Sequence, residues 1–130
     1  MIIITLKTDQ PEAELAIYED GKLIDHVAWT AHRQLAETIH LRLADLLKAQ
    51  LKDWSDVAGI VCYKGPGSFT GLRIGLSVAN AVAYGVNASV VSEQGDNWQE
   101  TGIKRLRNDE NEVTAMPEYG AEVHITQARK

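Results

Sequence analysis

Residues 65–76 read GPGSFTGLRIGL, a glycine-rich segment between an apolar stretch and an alanine-rich one. The stretch before it, 57–63, is apolar and rich in β-branched residues, which predicts a strand covered on both faces. The residues after it predict a helix that stops at Gly85, because glycine readily adopts the left-handed conformation found just beyond helix ends. The segment therefore predicts a strand, a loop and a helix in this order.

Three patterns upstream of this segment predict antiparallel strands. Residues 2–7 form an apolar run long enough for one buried strand, and residues 13–17 alternate between apolar and polar side chains. Asp20 and Gly21 suit the positive φ angles of a tight hairpin, so residues 23–29 are expected to return as the third strand.

A long amphipathic helix is predicted after the three strands. Its pattern runs from 34 to 51, where apolar residues recur at helical spacing and strong helix formers fill the gaps. With a fifth strand at 88–91, the order is β-β-β-α-β-α-β, which predicts an α/β fold with a mixed five-stranded sheet and helices packed on it. The apolar positions of the long helix are Leu35, Ile39, Leu43, Leu46 and Leu47.

The signal is weaker in the last third of the chain. A short helix is predicted at 98–106, and further strands are predicted at 113–116 and 123–125. The length of 130 residues suits a single domain. We expect a main lobe at 1–92 and a reduced C-terminal extension at 93–130.

The composition is that of an ordinary soluble domain, and its net charge disfavours nucleic-acid binding by the chain alone. Thirteen Lys and Arg residues against eighteen Asp and Glu residues give a net charge of −5, the wrong sign for a protein that binds nucleic acid alone, since phosphate contacts dominate such binding. No run of about 18 apolar residues predicts a membrane span, and the single Cys62 cannot form an internal disulfide. These observations predict a cytoplasmic protein.

The glycine-rich loop also raises the hypothesis of a phosphate site, since the first amides of a helix point outward. The known phosphate-loop templates do not fit, because neither Gly65 nor Gly67 has a glycine five residues further on and no lysine follows Gly71. Ser68 does not stand in a G-x-S-x-G nucleophile motif either, and it is predicted to cap the helix.

Small residues recur every four positions after the loop and form a stripe on the predicted helix. Glycine within a helix costs about 1 kcal/mol relative to alanine, so two glycines on one face indicate the close approach of another backbone. The stripe either packs on the chain's own sheet or long helix, or it receives a partner. Apolar residues on more than one face of this helix favour a partner in so small a chain. The stripe consists of Gly71, Gly75, Ala79 and Ala83.

The segment GPGSFTGLRIGL, followed by an alanine-rich helix, resembles the signature of the TsaB (YeaZ) family of bacterial tRNA threonylcarbamoyladenosine synthesis. The three preceding strands agree with this resemblance, as does the segment His32-Arg33-Gln34-Leu35-Ala36 at the start of the long helix. The resemblance covers about residues 1–92. Further along, Pro117-Glu118-Tyr119 is similar to a Pro-x-Tyr near the C-termini of family members.

This resemblance implies an actin-like ATPase (ribonuclease H-like) lobe that uses two helices to pair with TsaD, the catalytic subunit. TsaD transfers a threonylcarbamoyl group to the adenosine beside the tRNA anticodon, and the TsaB protein supports it as a non-catalytic scaffold. The resemblance also implies association with the ATPase TsaE and homodimers through the same helical face. No direct binding of nucleic acid by this chain alone is expected.

Two departures from the family pattern have consequences. Family members begin with a strand that ends in Asp-Thr-Ser, where this chain has Lys7, Thr8 and Asp9. A carboxylate that could coordinate Mg²⁺ is therefore missing where the fold would place it. The chain is also short, so we expect a minimal member in which the 93–130 extension replaces most of the second lobe.

We expect no catalytic residue, no metal ligand set and no cofactor in this chain. Its histidines, His26, His32, His40 and His124, lack ligand spacing, and Cys62 lies within a predicted strand. The alternative function is that of a nucleotide hydrolase or a glycoprotease-like peptidase.

The predicted functional residues are therefore those of a partner interface and of the motif loop. Arg73 is either a solvated charge or a contact to TsaD, where its guanidinium would suit a carboxylate. The predicted interface consists of Leu35, Ile39, Leu43, Gly71, Arg73, Gly75, Ala79 and Ala83, and the motif loop consists of Gly65, Pro66, Gly67, Ser68, Phe69 and Thr70.

Overall fold

The computed structural model describes residues 1–31, 34–67 and 69–116. His32, Arg33, Ser68 and residues 117–130, which include the Pro-x-Tyr segment and the strand predicted at 123–125, lie outside the described residues. The described elements are β1 (Ile2–Lys7), β2 (Glu12–Glu19), β3 (Lys22–Thr30), α1 (Leu35–Ala49), a short 3₁₀ helix (Trp54–Asp56), β4 (Val57–Tyr63), α2 (Phe69–Val86), β5 (Ser89–Glu93) and α3 (Trp98–Arg107).

The five strands form one mixed sheet in the order β3-β2-β1-β4-β5. The first three strands are antiparallel neighbours, while β4 runs parallel to both β1 and β5. Tight turns can join only antiparallel strands, whereas α1 and α2 are the crossovers that parallel pairing requires. The predicted α/β fold with a mixed five-stranded sheet is confirmed.

The hairpin between β2 and β3 has the predicted turn. Asp20 has a φ of 53° and Gly21 a φ of 84°, so both central residues adopt the positive φ that a two-residue hairpin loop favours.

Both faces of the sheet centre are covered. Helices α1 and α2 pack on one face, where Ile17, Ile39 and Val90 are fully buried in the main core. Helix α3 covers the other face, where Ile3, Val61 and Val91 are buried in a second cluster with three residues of the helix. Covering both faces explains why successive residues are buried along the centres of these strands, at 2–6 in β1, 59–62 in β4 and 90–92 in β5, rather than every second residue. The three α3 residues are Trp98, Ile103 and Leu106.

The end of α2 differs from the sequence expectation. Gly85 lies within the helix, which continues to Val86, so the prediction that Gly85 stops it is wrong. Asn87 takes the left-handed position instead, with a φ of 61°, and the amide of Ala88 donates to the carbonyl oxygen of Ala83 at 2.8 Å. Asparagine is, after glycine, the residue found in this left-handed position, so the helix can continue past Gly85 and end at Asn87.

The segment after α3 is not a strand, so the strand predicted at 113–116 is also wrong. We call residues 109–116 the strap, because they cross the outer edge of β5 and reach α2. The amide of Glu112 donates to Val90, but the amides of Val90 and Ser92 donate to the side chains of Asn111 and Glu112. Side chains rather than a regular backbone ladder therefore satisfy this edge.

The Glu112 carboxylate binds the strap to β5 and α3 through three polar contacts. It accepts hydrogen bonds from the Ser92 amide at 3.0 Å and the Ser92 hydroxyl at 2.7 Å, and it lies 2.9 Å from the Arg105 guanidinium. Partial burial alone would raise the pKa of Glu112, but the hydrogen bonds from Ser92 and Arg105 outweigh burial and hold this pKa below its ordinary value.

We expect Glu112→Gln to lower the free energy of unfolding at pH 7 by about 1–3 kcal/mol, since it removes charge-assisted hydrogen bonds to partly buried groups. A carboxylate whose pKa is lowered on folding stabilises the fold above its unfolded pKa of about 4.3 and loses that contribution as the pH falls through the folded value. Urea unfolding at pH 7 and below pH 4 should therefore show the deficit of the variant shrinking in acid.

Glu110→Gln is the matched control, because Glu110 contacts the same arginine from a more exposed position, with 49% of its side chain accessible. An equal loss in both variants at pH 7 would contradict the assigned role of Glu112.

Candidate functional site

The motif loop meets the end of β1 at one corner of the sheet. Lys7 ends β1, and the next two residues are buried, with Thr8 2% and Asp9 9% exposed. The loop after β4 packs directly on them, since a Cβ atom added at Gly67 would lie 2.5 Å from the Cβ atom of Asp9. Gly65 is buried and its peptide bond to Pro66 is cis, whereas Pro66, Gly67 and Thr70 are exposed.

The charges at this corner neutralise each other. The Lys7 ammonium forms an ion pair with the Asp9 carboxylate, whose side chain is only 8% exposed. The same ammonium lies 4.6 Å from the centroid of the Tyr63 ring, a cation–π distance.

These residues do not fit the metal-bound nucleotide that an actin-like ATPase fold implies. Mg²⁺ is held through carboxylates, and the carboxylate at the end of β1 is already paired with a lysine. Across residues 1–31, 34–67 and 69–116, no three His, Cys, Asp or Glu side chains are grouped so that they could hold a metal ion.

Thr8 joins β1 to α2. It is 2% exposed, and its hydroxyl donates to the carbonyl oxygen of Gly71 at 2.8 Å. A Cβ atom at Gly75 would overlap the Thr8 hydroxyl oxygen. Gly75, one of the two glycines of the stripe, therefore lets the end of the chain's own first strand approach the helix.

The rest of the stripe also faces inward, and this corrects the predicted partner interface. Ala79 and Ala83 are 2% and 3% exposed and belong to the main core. The same is true of the α1 residues assigned to the interface, because Leu35, Ile39 and Leu43 are buried under the helix. A side chain sealed in the core cannot contact a partner, so of the predicted interface residues only Arg73 is exposed and Gly71 half-buried.

Sequence reasoning missed the outward sides of the same helices. On α2, a second line at four-residue spacing, Ser77, Ala81 and Gly85, is exposed, and next to it Tyr84 is 92% exposed. On α1, Leu41 is 60% exposed. The sequence contained a signal for this side, because Leu41 is an apolar residue that does not belong to the apolar stripe by which the buried side of α1 was predicted.

Three other candidate groups among the described residues have different surroundings. Cys62 is buried within β4, and burial raises the pKa of its thiol, which keeps it protonated and weakly nucleophilic. His40 contacts Trp54 with ring centroids 6.4 Å apart, and His26 is exposed on β3. His32, Ser68 and His124 lie outside the described residues. No described helix combines the length and the apolar character that crossing a membrane would need.

Comparisons with known proteins agree on one family. The family model for TsaD, described as tRNA N6-adenosine threonylcarbamoyltransferase, matches residues 27–93. The tRNA threonylcarbamoyladenosine biosynthesis protein TsaB of Escherichia coli is 27% identical over 113 residues, which cover 82% of this chain and 48% of that protein. The chain spans about half the length of the curated TsaB relatives it matches.

Solved structures show the same relationship in three dimensions. YeaZ from Pseudomonas aeruginosa superposes with a TM-score of 0.65 at 25% identity, over 72% of this chain and 43% of that one. RuvC from Thermus thermophilus, solved with a Holliday junction, has a TM-score of 0.53 at 11% identity over 72% of this chain and 64% of its own. The predicted actin-like, ribonuclease H-like fold is confirmed.

Two alanine substitutions within α2 should have opposite effects on stability. Gly75→Ala places a Cβ atom against the buried Thr8, and such overpacking costs about 1–3 kcal/mol. Gly85→Ala adds a Cβ atom with nothing within 4 Å and gains helix propensity of about 1 kcal/mol. Urea unfolding of both variants measures the difference, and effects of the same sign would contradict the inward placement of the stripe.

Proposed function

The chain belongs to the protein family that the TsaD model describes and, within it, to the TsaB (YeaZ) proteins, and on this basis we propose that it is a non-catalytic subunit in the synthesis of threonylcarbamoyladenosine in tRNA. It pairs with TsaD and supports the transfer of the threonylcarbamoyl group to the adenosine beside the anticodon. TsaE is a further partner in this proposal, and the setting is the cytoplasm.

One observation carries the proposal: the outward sides of α1 and α2 expose large apolar side chains. We define the partner face as Leu41, Arg73, Ser77, Ala81 and Tyr84. Leu41 and Tyr84 are 60% and 92% exposed although both are apolar enough to favour burial. Contiguous exposed apolar surface with a polar rim is typical of protein–protein contact surfaces, and the proposal is that Leu41 and Tyr84 belong to one such surface.

The small residues of this face explain how a partner helix could approach. Ser77 and Ala81 are followed by Gly85 on the same exposed line, so the α2 backbone is accessible there. Short side chains allow helices to pack at the near end of their usual separation of about 8–10 Å. Homodimers through the same face are part of the proposal. In that case TsaD and a second copy of the chain would compete for the face.

The proposal assigns the chemistry to the partner. Its support is the Lys7–Asp9 ion pair at the end of β1, together with the burial of Cys62. With a net charge of −5, the chain is proposed to contact tRNA only through the complex. ATP turnover by the purified chain that is lost on Lys7→Ala would contradict this part of the proposal.

Co-purification with TsaD of the same organism tests the partner face. We expect the Leu41→Ser/Tyr84→Ser variant to bind TsaD at least about tenfold more weakly, because buried interface anchors contribute more than about 1 kcal/mol each. The stimulation of threonylcarbamoyl transfer by TsaD at limiting protein should fall in parallel.

Leu51→Ser is the matched control, since Leu51 is 94% exposed and apolar but follows α1 and lies outside the partner face. Failure of the unmodified chain to bind TsaD would overturn the proposed function. Equal binding by all variants would overturn only the position of the face.

A further inference from the structure

The two edge strands of the sheet differ in whether their outer backbone groups are hydrogen-bonded to other described residues. At the β5 edge, the amides of Val90 and Ser92 and the carbonyl of Val90 are hydrogen-bonded to the strap, and the Ser92 carbonyl accepts from Arg105. At the β3 edge, no strand within residues 1–31, 34–67 and 69–116 pairs with the outer side of Lys22–Thr30. An uncovered edge of this length is a template for another strand.

The ladder with β2 shows which backbone groups of β3 point outward. His26 faces Ala16, and its amide donates to its neighbour Asp25 at 2.8 Å rather than to β2. Because hydrogen bonding alternates along an antiparallel pair, Ala28 and Thr30 also direct their amides and carbonyls outward. All three residues are exposed.

We propose that the outer edge of β3 pairs antiparallel with β3 of a second copy of this chain, with Val27 on the two-fold axis. His26 of each copy then exchanges main-chain hydrogen bonds with Ala28 of the other. In this register Asp25 of one copy lies opposite Trp29 of the other, and both side chains are on the α1 side of the sheet.

Charge complementarity selects this register. The Arg42 guanidinium lies 5.6 Å from the centroid of the Trp29 ring and is in no ion pair with a described residue. One oxygen of the Asp25 carboxylate accepts from the Gln50 side-chain amide at 3.3 Å, and the other, released from the His26 amide by the new strand, would meet Arg42 of the other copy. Pairs of this kind that do not share hydrogen bonds bring their side chains closest, with Cα atoms about 4.5 Å apart. A register centred on His26 or Ala28 would instead place Asp25 away from Trp29.

There is space for this pairing beside α1. Asp25, Val27, Arg42 and Asp45 line a groove of about 260 Å³ between β3 and the helix. Asp45 adds negative charge to this groove, so Arg42 is the group that makes the approach of a second carboxylate favourable. The groove shows that α1 leaves this part of β3 open.

The strap makes the assembly a closed dimer. Because β5 is already hydrogen-bonded along its edge, β3 is the one open sheet edge among the described strands, and a contact of this edge with itself closes after two copies. This interface goes beyond the proposed function and uses a surface distinct from the partner face, so two copies joined at β3 could each still bind TsaD.

Sedimentation equilibrium of the full chain tests the inference, with the Leu41→Ser/Tyr84→Ser variant as background to remove self-association through the partner face. We expect a dimer that persists in this background and whose dissociation constant rises at least about tenfold with Ala28→Pro. Proline removes an outward amide without breaking the ladder with β2. Far-UV circular dichroism and thermal unfolding establish that the proline variant is folded.

Arg42→Gln provides a second variant that leaves the backbone unchanged. It should weaken the dimer several-fold and reduce its sensitivity to salt, whereas Lys48→Gln, which alters another exposed cation of α1, should change neither. Amide hydrogen exchange should slow at His26 and Ala28 as the concentration rises.

A background variant that remains monomeric at every concentration, or a dimer unaffected by Ala28→Pro, would overturn the inference. TsaD binding by Ala28→Pro is measured alongside, because it is expected to be retained and reports on the proposed function independently.

Discussion

The contact between Thr8 and α2 determines how this sheet meets its longest helix. The Thr8 hydroxyl bonds to the Gly71 carbonyl, and Gly75 leaves no side chain between the helix and the strand end. A side chain at Gly75 would push the helix away from the end of β1. With the helix held this close, Ala79 and Ala83 reach the main core, and the opposite side of α2 is left facing outward.

The same contact decides what kind of functional surface the protein has. The corner where the motif loop meets β1 is occupied by the Lys7–Asp9 pair and by Thr8, so it is filled by the chain's own residues rather than open to a ligand. The exposed surfaces of the described residues include a helical face with Leu41 and Tyr84 and the uncovered edge of β3. Surfaces of these two kinds suit association with other proteins. The first is formed by the outward sides of α1 and α2, and the second is the outer edge of β3.

Particular residues show how far sequence reasoning reached. Alternation in β2, the Asp20-Gly21 turn and the apolar runs of β1 and β4 were sufficient to predict the sheet, because each depends on neighbours within a few residues. The interface prediction failed at Ala79 and Ala83, since spacing of four residues places them on one side of a helix without indicating what that side contacts. The strand predicted at 113–116 failed because Asn111 and Glu112 bond to β5 through their side chains, an arrangement that leaves no periodic pattern.

From its sequence alone, this protein could be assigned the order β-β-β-α-β-α-β of its main lobe, its actin-like fold and its TsaB family, because periodicity, turn residues and the GPGSFTGLRIGL segment are local features of the chain. Two lines of small residues run along α2 at the same spacing, and nothing local distinguishes them. Only the tertiary structure decided that the line through Gly75 faces β1 and the line through Ala81 faces outward. The physical reason is that Thr8, more than sixty residues earlier in the chain, makes the hydrogen bond that orients the helix.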